Sequence, residues 1–196
     1  MCQLKLKIFM KIFMILFVMM FSAKAYSETT IGVSARSSGA GFESGFGLSA
    51  EHVWKPDWYA LGISGNISNQ KKREADSGYT YGINGFGRIY HNDIYLAAGY
   101  GLAGYSSSFA SGIHWKKSAW WPFVGIGYDA DFFDVWLTYY PKETQTVNEV
   151  ESWKVGSRLF IYNDWFLSGE LSYQTYEQAS KRNRDTTTAF GIGYRF

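Results

Sequence analysis

Eight ionisable residues share one alternating register along the chain: Arg36, Glu51, Arg88, Asp129, Lys154, Arg158, Glu170 and Arg195. Five are basic and three acidic, so on one shared surface they would pair into a salt-bridged plug, not a single-sign ion filter. A second set is purely cationic: Lys71, Lys72 and Arg73; Lys116 and Lys117; Lys181, Arg182 and Arg184. Such clusters suit phosphate, as bidentate guanidinium forks or ammonium point charges. The histidines, His52, His91 and His114, show no metal-ligand spacing, and none has a neighbouring serine and acid that would complete a hydrolase triad. Asp129 and Asp131 could do acid–base work as a carboxylate pair, but they border a turn, and a structural role is expected. The glycines at 99, 101, 104, 125 and 127 precede no helix, so they do not cradle a phosphate; they leave room for bulky neighbours. No catalytic residue, metal ligand or cofactor is predicted.

The elements that would carry these residues read as strands. In TTTAFGIGYRF (186–196), Phe190, Ile192, Tyr194 and Phe196 fall on one face, and Thr187, Ala189, Gly191, Gly193 and Arg195 on the other. The same period of two recurs near 30–37, 45–54, 58–69, 79–90, 94–106, 119–131, 135–143, 151–162, 165–177 and 186–196. Tight connections with Pro, Asn or Asp (55–57, 91–93, 132–134, 163–164) alternate with longer polar ones (38–44, 70–78, 107–118, 144–150, 178–185). That alternation predicts an all-β fold: an antiparallel up-and-down transmembrane β-barrel of about ten strands.

Outward go Ile31, Val33, Phe46, Leu48, Leu61, Ile63, Tyr81, Ile83, Leu96, Tyr100, Leu102, Val124, Ile126, Tyr128, Leu137, Tyr139, Val155, Leu159, Ile161, Leu167, Leu171, Tyr173, Ile192 and Tyr194. The eight charges then fall on the inner face, as they must: a mid-membrane Arg facing lipid costs about 2–4 kcal/mol. Trp54, Trp58, Tyr90, Tyr95, Trp120, Trp121, Trp136, Tyr162 and Trp165 lie near strand ends, where interfacial girdles sit.

The first 25 residues read as a signal peptide: Lys5, Lys7 and Lys11 flank or interrupt an apolar run (12–21) that ends at Ala23-Lys24-Ala25. The run is short of the roughly 20 residues a spanning helix needs. Cleavage leaves 26–196 as one barrel domain without cysteine. It also removes four lysines and no acids, so the formal charge moves from +2 to −2, and no nucleic-acid partner is expected.

Two families share motifs with this chain. The stretch WFLSGELSYQTYEQASKRNRDTTTAFGIGYRF (165–196) resembles the final hairpin of small outer-membrane proteins of the OmpX/Ail type, and YTYGINGFGRIYHNDIYLAAGYGLAGY (79–105) their middle hairpin. That resemblance implies eight strands, with 119–143 as an additional hairpin here. The ending also looks like the C-terminal signature read by the outer-membrane barrel assembly machinery, with Phe196 as its last residue. WPFVGIGYDADFFDVWLTYYP (121–141) and GFGLS (45–49) resemble the lipid A palmitoyltransferase family, whose activity implies a His and an Asp-Ser pair near the extracellular rim. This chain has Asn66-Ile67-Ser68 there, without the acid. The expectation is a non-enzymatic outer-membrane barrel, structural or surface-interacting, with membrane lipid and lipopolysaccharide as partners through the basic loops. The alternatives are a narrow pore or a lipid A-modifying enzyme, the latter marked by a lateral opening beside Pro122.

Overall fold

A computed structural model describes residues 26–39, 42–141, 150–178 and 181–196, the side chains of 115, 117, 150 and 176–183 excepted. The signal-peptide segment, and most of connection 144–150, lie outside the described residues. Ten strands follow in chain order: β1 (Tyr26–Arg36), β2 (Gly45–Lys55), β3 (Tyr59–Ser68), β4 (Ser77–His91), β5 (Ile94–Ser108), β6 (His114–Asp129), β7 (Phe133–Tyr140), β8 (Val150–Tyr162), β9 (Trp165–Gln178) and β10 (Lys181–Arg195). Each pairs antiparallel with its sequence neighbours, and β1 meets β10, from Thr30↔Arg195 to Arg36↔Ala189, to close the barrel. The β6–β7 hairpin takes its own place in that ring, so the count is ten and not eight.

Short connections gather at one end, the turn end, together with Tyr26 and Phe196. Asn163 and Asp164 both adopt positive φ (44° and 64°), the two-residue geometry whose twist matches that of the flanking strands. The opposite, loop end departs from the sequence expectation in two places. β6 begins at His114 and β10 at Lys181, so 107–118 and 178–185 are largely ladder. Polar composition suggested loops there, but strands that run on past an apolar band can carry polar residues on both faces. One turn also shifts, from 132–134 to 130–132, which puts Asp134 on β7.

None of the outward apolar residues named above is buried; Phe46 is 72% exposed and Leu96 63%. Aromatic clusters border this belt. At the turn end they include Tyr128 on Phe133, and Trp165, Tyr194 and Phe196 in contact. Towards the loop end Tyr100 stacks on Trp120 and Tyr139 meets Trp153. Tyr128 and Trp120 are eight residues apart on β6, roughly 26 Å of strand. Four residues assigned to girdles belong inside instead. Tyr90 and Tyr95 are buried in the core cluster with Val53 and Ala60, Trp136 packs against it, and Trp121 shares their inward register. Position near a strand end does not choose the face; parity does.

Inward aromatics lie over cross-strand glycines. A Cβ on Gly62 would come within 2.3 Å of Phe86, one on Gly99 2.4 Å from Phe123, and one on Gly127 2.3 Å from Tyr95. Gly156 faces Trp136 and Gly193 faces Phe166 at 2.2 Å in the same way. The missing side chains are what let five rings approach the barrel wall this closely.

Candidate functional site

The inner face carries charge in three tiers. In the middle tier, Arg88 Nη2 donates to Glu51 Oε1 at 3.1 Å, and Arg158 Nη2 donates to Glu51 Oε2 at 3.2 Å. Arg158 Nη1 also reaches Asp134 Oδ2 at 3.4 Å. The strands set this geometry: Glu51 and Arg88 flank β3, whereas Asp134 and Arg158 are register partners on β7 and β8. The rings below fix the guanidinium groups from underneath. Arg88 lies over Phe86 (4.6 Å) and Tyr95 (4.8 Å), and Arg158 over Trp136 (5.2 Å) and Phe166 (5.6 Å). These four rings are among those seated on glycines. Glycine, ring, guanidinium and carboxylate therefore stack from wall to axis, and two positive charges meet two negative ones across the lumen.

At the turn end, Asp129 accepts from Tyr90 Oη (3.1 Å) and pairs with Lys55 (3.5 Å). Arg195 pairs with Asp164 (3.0 Å) and Glu28 (4.0 Å) and covers the Phe160 ring. Towards the loop end sit Arg36, Lys154 and Glu170. Lys154 and Glu170 are 4.0 Å apart, and among the described residues Arg36 makes no hydrogen bond or ion pair, with its Nε buried. These three residues line a cavity of about 220 Å³ with Ser49, Asn66 and Ser168.

So the eight charges occupy three separate levels. Asp134, Lys55, Glu28 and Asp164 are partners the sequence reading left out. Asp134 was recoverable, because it alternates with Trp136 and Thr138 once the turn is moved back two residues.

The cationic clusters are not alike. Lys71 Nζ donates to the carbonyl of Ala75 and pairs with Glu43 at 3.6 Å. Lys72 lies over the rings of Phe42 (4.5 Å) and Tyr105 (4.9 Å), themselves in edge contact at 5.2 Å. Gln70, buried, donates to the carbonyls of Ser37 and Glu43 and so ties connections 37–44 and 69–76 together. Both lysines thus belong to a folded cap over the β1–β5 side of the mouth. Arg73, Lys116 and Arg184 are exposed. Lys117, Lys181 and Arg182 occupy strand positions, but their side chains lie outside the described residues.

His114 opens β6 instead of lying in a loop, and its Nδ1 is 2.9 Å from Ser108 Oγ. A serine neighbour therefore exists, though no carboxylate bonds to this ring among the described residues. His52 Nδ1 is 2.8 Å from Thr29 Oγ1 at the turn end. No three His, Cys, Asp or Glu side chains converge on a metal-sized site among the described residues. Residues 114–123 of β6, Pro122 included, pair with β5 but with no described β7 residue, since that ladder starts at Val124↔Tyr139. A proline without an N–H fits where one flank of the strand is unpaired.

The architecture defines a class: a closed ten-stranded antiparallel barrel, apolar outside and charge-paired within. No protein-family model and no curated protein matches the sequence. Solved structures similar to it include the outer-membrane protein Ail of Yersinia pestis, at 11% identity and TM-score 0.41, covering 87% of this chain and 100% of that one. The N-terminal β-barrel domain of Pseudomonas aeruginosa OprF gives 8% identity and TM-score 0.44, covering 88% and 100%. An anion-selective porin from Comamonas acidovorans gives 11% and TM-score 0.42, covering 77% of this chain. The chain spans about half, 49%, of that porin's length.

Proposed function

We propose that the protein is an outer-membrane barrel whose lumen is sealed and whose loop end works at the cell surface, in contact with lipopolysaccharide. The observation that carries this reading is the middle tier: Glu51 held by Arg88 and Arg158, with Asp134 on Arg158 and aromatic rings beneath. A neutral, hydrogen-bonded group of four charges across the lumen offers ions no continuous polar path. The apolar belt supports membrane insertion, since an exposed surface of this kind suits hydrocarbon and not water. Planar-bilayer recording of the unmodified protein is expected to show no steady conductance, and a stable open channel would defeat the seal in favour of a narrow pore.

For the surface role, Arg73, Lys116 and Arg184 are, among the described side chains of these clusters, the ones exposed to meet lipid A phosphates, whereas Lys71 and Lys72 serve the cap. Replacing all three by Glu should lower the lipopolysaccharide that co-purifies with the barrel and leave its folding intact; unchanged lipopolysaccharide content would refute the contact. The unpaired flank at Pro122 favours a second reading, lateral entry of a lipid chain for a lipid A-modifying activity. Lipid A profiling of a deletion strain separates the two.

A further inference from the structure

We propose that the cavity above the seal is a binding chamber for a small soluble oxyanion, a carboxylate or phosphate, held by Arg36 with help from Lys154. Seven charged side chains line the cavity: Arg36, Arg88, Lys154 and Arg158 against Glu51, Asp134 and Glu170. The lower four neutralise one another through the bonds described above, and Lys154 has Glu170. Four cations stand against three acids, and Arg36 is the cation with no direct carboxylate contact among the described residues. A guanidinium carries five donors and does not give up its proton, so removing its Nε from water without a partner is a standing cost that an anion would relieve. The wall is shaped for it: a Cβ on Gly47 would stand 3.2 Å from Arg36 Nε, and glycine there lets the side chain lie against β2.

The surrounding groups suit an oxyanion as well. Ser34, Ser49, Asn66 and Ser168 bring hydroxyl and amide donors to the same space. Lys154 reaches Glu170 only at 4.0 Å, so its ammonium keeps donors for a ligand. The volume is below the roughly 300–1,000 Å³ of sites for drug-sized ligands. A small ion fits; an acylated headgroup does not. Because the tier beneath is neutral and bonded, the chamber is blind, and its ligand enters and leaves by the loop end.

The test uses the full barrel, folded in a maltoside detergent that contains no phosphate, and follows the Arg36 Nε–H signal by NMR. Titrating inorganic phosphate, and separately acetate, should move that signal saturably. Arg36→Gln should weaken the binding measured by calorimetry at least about tenfold, a loss of the size expected for one charge-assisted contact, and Arg73→Gln should leave it unchanged. Arg36→Lys, which keeps the charge but not the fork, should fall between. A signal that ignores both anions, equal binding by Arg36→Gln, or a response to added lipopolysaccharide alone would overturn the chamber. Should Arg36→Gln fail to fold, the titration of the unmodified protein still decides.

Discussion

The two halves of the lumen are built from the same strands and filled in opposite ways. Around Glu51 every charge has an opposite partner, every guanidinium has a ring beneath it, and the rings rest on glycines. Around Arg36 the strands contribute serines, asparagines and small residues, one ion pair is stretched to 4.0 Å, and space remains. Ten strands enclose a wider interior than eight, and side chains fill it only where the largest ones are stacked in depth. Closure of the barrel therefore does not determine whether its lumen is solid; the choice of inward residues does so level by level.

Breaking the filled half should give the largest effect. Glu51→Ala strands Arg88 without an acid and leaves Arg158 only Asp134. Removing one partner from a buried ionic group typically costs about 3–5 kcal/mol. Urea unfolding of the barrel in lipid vesicles should show a loss of that order, and planar-bilayer recording should show intermittent opening. A loss near zero would mean that water already solvates this tier, and the contrast between the halves would collapse.

The next effect comes from the wall. Gly156→Val places side-chain atoms where the Trp136 ring lies, 2.2 Å from the ideal Cβ. Trp136 is the ring beneath Arg158, so the substitution should overpack the wall by about 1–3 kcal/mol and displace the guanidinium above it. Gly85, in the outward register of Ile83, makes a control for added bulk away from the rings, since nothing lies within 4 Å of a Cβ there. Gly85→Val should be nearly neutral in the same unfolding assay. Strand propensity favours valine over glycine at both sites, so a loss at Gly156 no larger than that at Gly85 would show that the ring does not govern the result.

The parity of the sequence carries most of this and misses the rest for identifiable reasons. Charge and apolarity alternate cleanly, so strand number, closure and the inward register of Arg36, Glu51, Arg88 and Glu170 can all be read from spacing. Depth along the axis cannot. Two inward acids such as Glu51 and Glu170 look equivalent in a list, and only the stagger between neighbouring strands puts one among two arginines and the other beside a distant lysine. The same blindness assigned Tyr90 and Tyr95 to a girdle, because nearness to a strand end was read without its parity. Lys71 and Lys72 looked like free tips because nothing in the sequence announces that Phe42 and Tyr105 will meet beside them.

The smallest expected effect sharpens the comparison most. Glu170→Ala removes the carboxylate that faces Lys154 across 4.0 Å, in a pair whose side chains are about one-third exposed to the cavity. With that exposure, cavity water can screen both groups, so the loss should be about 1 kcal/mol or less, well under that of Glu51→Ala although both remove an inward acid from a ten-stranded lumen. The substitution also raises the excess positive charge of the chamber by one, next to Arg36. Anion binding should therefore strengthen while stability barely moves, a pairing of outcomes that a simple packing role for Glu170 does not produce. Calorimetric phosphate titration and urea unfolding on the same preparation give both quantities. A destabilisation as large as that of Glu51→Ala would mean the upper half is as dry and as filled as the lower.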